Sequence, residues 1–148
     1  MSRLVVDANV GLKWYLDEAH AATARLLLNG AEELSVPQYF FTEIGNVLWK
    51  RWRRREMPAP AVVAALEEVE AVGLTVWPDR GLLWDAIAIA LRRGCSVYDS
   101  LYLALADRID GRLVTADRRL VNALAGTEGA QRVVWIEDLS LDGSHSHH

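Results

Sequence analysis

The chain reads as an α/β protein built on a parallel sheet, and two features predict it. Short apolar, β-branched runs alternate with stretches of helical periodicity along the whole length. Four acids, Asp7, Glu43, Asp99 and Asp117, each stand where an apolar run stops or in the opening turns of the helix after it. With 148 residues, 51% of them hydrophobic, the chain is long enough for one compact domain and too short for two ordinary ones.

Leu4 to Val6 is a first strand ending at Asp7, and Asn9 to Leu16 then sets Val10, Lys13 and Trp14 at helical spacing. Ala21 to Leu28 predicts a helix stopped by Asn29-Gly30, and Leu34 to Val36, before Pro37, a second strand. Tyr39 to Arg55 carries Phe40, Ile44, Val47 and Leu48 on a helical period; Pro58 and Pro60 then mark a hairpin into a helix from Ala61 to Val72, closed by Gly73. Leu74 to Trp77 is a third strand, followed by an apolar helix from Leu82 to Leu91 that ends at Arg92-Arg93-Gly94. Ser96 can cap the next helix with Asp99 at its third position; Leu101, Leu103, Ala104 and Ala106 make its body apolar enough to be buried on most sides. Leu113-Val114 is a fourth strand leading to Thr115 and Asp117, Arg118 to Ala125 a short helix, and Val133 to Ile136 a fifth strand. The expectation is a central parallel sheet of four to five strands flanked by helices, in one domain over 1–138. Residues 139–148, with His145, His147 and His148, read as a disordered or artificially appended tail outside fold and site.

Composition narrows the class. The lone Cys95 closes no intramolecular disulfide, no secretory leader is evident, and no apolar stretch approaches the roughly 20 residues a membrane span needs, so a soluble cytoplasmic protein is expected. A formal charge of −4 argues against indiscriminate binding of polyanions. Positive charge is nonetheless concentrated: Lys50, Arg51, Arg53, Arg54 and Arg55 alternate with Trp49 and Trp52, a run that suits either a phosphate backbone or a solvated helix end.

Taken singly, each acid has a structural role open to it: Asp7, Asp99 and Asp117 as caps, Glu43 as a favourable charge in an early helical turn. Together they say more. In open α/β sheets ligands bind outside the carboxyl ends of the strands, where Asp7, Glu43 and Asp117 all fall. Asp99 opens a buried helix and needs a partner for its charge. With no histidine or cysteine beside them, four converging carboxylates suit a hard cation, Mg²⁺ or Mn²⁺, and metal-assisted attack on a phosphate.

The segments Leu4-Val-Val-Asp-Ala-Asn9, Thr42-Glu-Ile-Gly-Asn-Val-Leu48, Tyr98-Asp-Ser-Leu-Tyr-Leu-Ala-Leu-Ala106 and Leu113-Val-Thr-Ala-Asp117 resemble PIN-domain proteins. Their order, spacing and length resemble the VapC-type toxins of bacterial and archaeal toxin–antitoxin pairs. The resemblance runs from Arg3 to about Ile136 and implies a three-layer PIN-like fold, with Asp7, Glu43, Asp99 and Asp117 as the metal site and Asn9 and Thr115 as supporting polar residues. It also implies a Mg²⁺- or Mn²⁺-dependent endoribonuclease, a homodimer, and a VapB-type antitoxin whose tail crosses the site. RNA contacts are expected from Lys13, from the run Lys50, Arg51, Arg53, Arg54 and Arg55, and from Arg118 and Arg119. The alternatives are a PIN nuclease of RNA maturation and a non-catalytic PIN module binding RNA or protein. A signalling receiver domain is disfavoured because paired acids at the first strand and a late lysine are not evident. An aspartate-nucleophile phosphatase is disfavoured because Asn9 stands where its second aspartate belongs.

Overall fold

A computed structural model describes residues 3–16, 18–29 and 32–139. Gly30 of the expected helix stop and the histidine-containing tail from 140 on lie outside the described residues. The elements run β1 (Arg3–Val6), α1 (Ala8–Leu12), α2 (Ala21–Leu26), β2 (Glu33–Pro37), α3 (Tyr39–Arg53), α4 (Ala59–Glu70), β3 (Thr75–Trp77), α5 (Asp79–Arg93), α6 (Val97–Arg108), β4 (Arg112–Thr115), α7 (Arg118–Leu124) and β5 (Val133–Trp135). All strands pair in parallel in the order β3-β2-β1-β4-β5, as the alternation of strand and helix predicts.

Leu4, Val5 and Val6 of the central strand are all buried, so both faces of the sheet are covered. Against it pack α6, buried from Ser100 through Ala106, and the inner stripe of α3, Phe40, Ile44 and Leu48, none of which reaches solvent. Phe40 fills the space left by Gly11 of α1, where an added Cβ would lie 2.7 Å from the ring. Removing that ring by Phe40→Ala should destabilise the protein by roughly 3–5 kcal/mol, read from the denaturant midpoint at unchanged slope.

The differences from the sequence expectation are at element ends. The second helix is α-helical only to Leu26 and tightens into a 3₁₀ turn over Leu27–Asn29. The third stops at Arg53, two residues short of Arg55, which adopts a left-handed conformation at φ 61°. The fourth begins at Ala59 and ends at Glu70, because Pro60 is accommodated in the first turn, where no amide donor is needed. Ile136 leaves β5 for a 3₁₀ turn. Among the described residues no helix is long and apolar enough to cross a membrane.

Two helix starts at the carboxyl edge brace each other. The Tyr39 amide opening α3 donates to Asp79 Oδ1 at 3.0 Å, and the Asp79 amide opening α5 donates to Gln38 Oε1 at 3.2 Å. Glu43, one turn into α3, is thereby held at this edge.

Candidate active site

Asp7 is both the residue after β1 and the N-cap of α1. Its Oδ1 accepts from the Val10 amide at 2.9 Å and its Oδ2 from the Thr115 hydroxyl at 2.6 Å. Only 9% exposed, its carboxyl is pushed up to about 7 chiefly by burial, with the charges of Glu43 and Asp99 adding to the rise against those two hydrogen bonds. Thr115 closes β4 beside it, fully buried, and its Oγ1 also accepts from the Asp117 amide at 3.0 Å. Asp117 in turn caps α7, Oδ1 accepting from the amides of Arg119 at 3.0 Å and Leu120 at 3.4 Å.

From the other side, Glu43 Oε1 accepts from the Tyr102 hydroxyl at 2.6 Å; burial raises the Glu43 carboxyl, Tyr102 opposes the rise, and Asp99 adds to it. Asp99 stands at the third position of α6, its amide donating to the capping Ser96 hydroxyl at 3.0 Å. Burial raises the Asp99 carboxyl and the charge of Asp117 raises it further, while Ser96 and Arg119 pull it down. Asp7 therefore feels Glu43 and Asp99, and Asp99 feels Asp117: the four sequence-predicted acids form one electrostatic cluster.

The donor set fits a hard divalent cation. All four side chains offer oxygen, Glu43, Asp99 and Asp117 are half-buried beside the buried Asp7, and all repel one another unless positive charge is supplied. Each Asp7 oxygen accepts one hydrogen bond and keeps a second lone pair, and Glu43 Oε2 and Asp117 Oδ2 are not engaged by any hydrogen bond among the described residues. As the side chains lie, no three acidic, histidine or cysteine residues among those described are gathered tightly enough to enclose an ion.

The model of the PIN domain family matches residues 4–125, which contain all four acids. The chain belongs to the PIN-domain family. Its resemblance to the VapC branch is borne out by Ribonuclease VapC3 of Pyrobaculum aerophilum, 37% identical over 120 residues that make up 80% of this chain and 92% of that protein. The crystal structure of PAE2754 from the same organism superposes with a TM-score of 0.65 at 26% identity, covering 92% of this chain and 85% of that one. A toxin–antitoxin complex from Klebsiella pneumoniae shares the fold, with a TM-score of 0.60 at 13% identity over 92% of this chain and 99% of its counterpart.

The remaining expected residues of this PIN domain fall in three places. Arg118 and Arg119 follow Asp117 directly: the Arg119 guanidinium is 95% exposed and 3.8 Å from Asp117, and that of Arg118 lies 4.1 Å over the Trp135 ring. Asn9 is exposed in the first turn of α1. The basic run occupies the far end of α3, seven or more residues past Glu43 and so about 10 Å or more along the helix axis. Within it Arg51 pairs with Glu18, the same carboxylate that holds the buried Lys13 at 3.3 Å. Arg53 lies over the exposed Trp49 at 5.4 Å. Burial and the charge of Asp99 push the Cys95 thiol up, away from nucleophilic behaviour.

Sequence reasoning misses Tyr102 and Tyr39. The available signal is spacing: Tyr102 is three residues after Asp99 and Tyr39 four before Glu43, each on the same helical face as its acid. Thr115, by contrast, is named by the family resemblance, and the structure places its hydroxyl against Asp7. Thr115→Val, isosteric but without the hydroxyl, strips Asp7 Oδ2 and the Asp117 amide of their shared partner. RNA cleavage at fixed divalent metal should fall by roughly 10- to 100-fold, the effect of losing a group that orients a carboxylate of the site.

Proposed function

We infer that this PIN domain is a metal-dependent endoribonuclease, the toxin of a type II toxin–antitoxin pair, which hydrolyses RNA phosphodiester bonds. The observation that carries the reading is the cluster of four acids at one sheet edge, with Asp7 buried, hydrogen-bonded on both oxygens and pushed up to about 7. Asp7, Asp99 and Asp117 would hold Mg²⁺ or Mn²⁺, whose charge, when bound, offsets the carboxylates and the charge developing on the scissile phosphate.

The chain's own groups do the positioning. Thr115 locks the orientation of Asp7 and ties it to the start of the Asp117 cap. Tyr102 holds Glu43 Oε1, leaving Oε2 as the atom that takes the proton of the attacking water or becomes a further ligand. Arg118 and Arg119, beside Asp117, bring phosphate to an otherwise repulsive pocket, with Lys50, Arg54 and Arg55 further along the strand's path. Attack by water predicts products with 5′-phosphate and 3′-hydroxyl ends. The homodimer and a VapB-type antitoxin lying across the acids belong to the same reading and rest on the family.

The test is cleavage of a mixed RNA pool by purified, antitoxin-free protein with Mg²⁺ or Mn²⁺ and with chelator, followed by end-group analysis. Cutting should require the metal. Products ending in 2′,3′-cyclic phosphate would reject the hydrolytic scheme, because the RNA 2′-hydroxyl would then be the nucleophile.

A further inference from the structure

Three tyrosines lead outward from Glu43 in order of rising exposure. Tyr102, 2% exposed, donates to the carboxylate. Tyr39, half-buried, stands edge-on to Tyr102 with ring centroids 6.2 Å apart and planes at 67°. Tyr98, 59% exposed, lies on Tyr39 with centroids 4.8 Å apart and planes at 21°. Both stacked rings are held by capped helix starts: Tyr39 through its amide bond to Asp79, Tyr98 in the first turn of α6 under the Ser96 cap. Tyr98 also directly precedes Asp99 in the chain. Among the described residues, Tyr39 and no other aromatic ring covers it, and its hydroxyl has no hydrogen-bond partner.

We propose that the open face of Tyr98 is a stacking platform for one unpaired base of the RNA, next to the scissile phosphate on the α6 side of the acids. This rests on the endoribonuclease reading above and adds a place for the base. A ring already stacked and anchored loses little freedom when a base adds to the stack. The surface is also neutral, on a rim where Glu43, Asp79 and Asp99 repel phosphate, so it can hold the strand where arginines do not. Stacking accepts every base, having no hydrogen-bond readout, but demands that the base be unpaired. Single-stranded RNA is therefore the substrate this rim admits.

The probe is a short single-stranded oligoribonucleotide carrying 2-aminopurine at each position in turn, titrated with Mg²⁺ against Asp7→Asn protein to prevent turnover. One position should show quenching. Adding Tyr98→Ala should remove the quench and weaken binding roughly 5- to 150-fold, the worth of one base–aromatic stack, whereas Tyr98→Phe keeps both. Tyr98→Leu, which keeps apolar bulk without a π face, should bind weakly and not quench. With Asp7 intact, Tyr98→Ala should raise KM by a similar factor and leave kcat within about threefold. Melting curves of the variants confirm that the folded protein is compared. If RNA is cut and Tyr98→Ala matches the unchanged protein in affinity, quench and KM, the platform alone is overturned and the ring is left to a protein partner. If the unchanged protein neither cuts nor binds RNA, the platform falls together with the nuclease reading.

Discussion

Asp7→Asn should lower RNA cleavage by roughly three orders of magnitude or more, and should make the metal-free protein more stable at alkaline pH. The activity loss follows from removing the most buried of the four acids, on the proposal that they hold the metal and that the site's chemistry is electrostatic. The stability gain follows from linkage. The Asp7 carboxyl stands near 7 in the folded chain against 3.8 as its ordinary value, so the fold favours its protonated form. That contribution is fully present below about pH 3.8 and is lost as pH rises through about 7, a loss of about 4 kcal/mol if the whole difference is realised. The asparagine side chain of the variant carries no charge to desolvate. In chelator, the unfolding free energy of the unchanged protein should therefore fall between pH 4 and pH 8, and the variant's should fall much less, the residue of slope coming from Glu43 and Asp99, whose carboxyls are raised for the same reason. Saturating Mg²⁺ should reverse the order at pH 8 by stabilising the protein with all four acids more than the variant. Equal pH slopes in the two proteins would show that Asp7 is ionised at no cost in the fold.

Gly111→Ala should destabilise the protein by about 3 kcal/mol or more and lower the melting temperature by about 10 °C. A Cβ there would lie 2.3 Å from the Arg3 carbonyl oxygen and 3.0 Å from its carbon, and backbone does not rotate aside as a side chain can. The turn is fixed on every side: the Gly111 amide donates to Ala106 at 2.8 Å, its carbonyl accepts from Arg132 at 3.1 Å, and Asp110 before it is already left-handed at φ 53°. Relief must come from separating β1 and β4 at their first pair, Leu4 with Arg112. The same two strands lead to Asp7 and Thr115 at their other ends, so activity should fall with stability. A melting temperature within a degree or two of the unchanged protein would contradict this account.

The elements were legible because their signals are local. Unbroken apolar sequence in α6 does mean burial, and Ser96 does cap it. Composition alone misleads for α5: its apolar residues do not all face inward, since only Leu82 and Ala86 are buried while Trp84 is 85% and Leu91 84% exposed. The acids were legible as a set because strand, turn and helix in a parallel sheet return each of them to the same edge. Of their hydrogen-bond partners, Thr115 was named through the family resemblance, and Ser96 was legible because it is close in sequence. Tyr102 meets Glu43 across 59 residues of sequence, and inside an apolar helix a tyrosine reads as core. For Lys13 and Arg51 the sequence shows charge and hides its destination; the fold ties both to Glu18.

The Thr115 hydroxyl bonds Asp7 across 108 residues. A chain still emerging from the ribosome and short of β4 has Asp7, Glu43 and Asp99 but neither Thr115 nor Asp117, and the Asp7 oxygen that Thr115 holds has nothing in its place. Since β4 joins β1 at the middle of the sheet, between strands made early and a strand made last, the pocket is completed only when translation of the domain is nearly done. The four acids and the hydroxyl that orients Asp7 are therefore gathered only after the chain has been made through β4 and the start of α7.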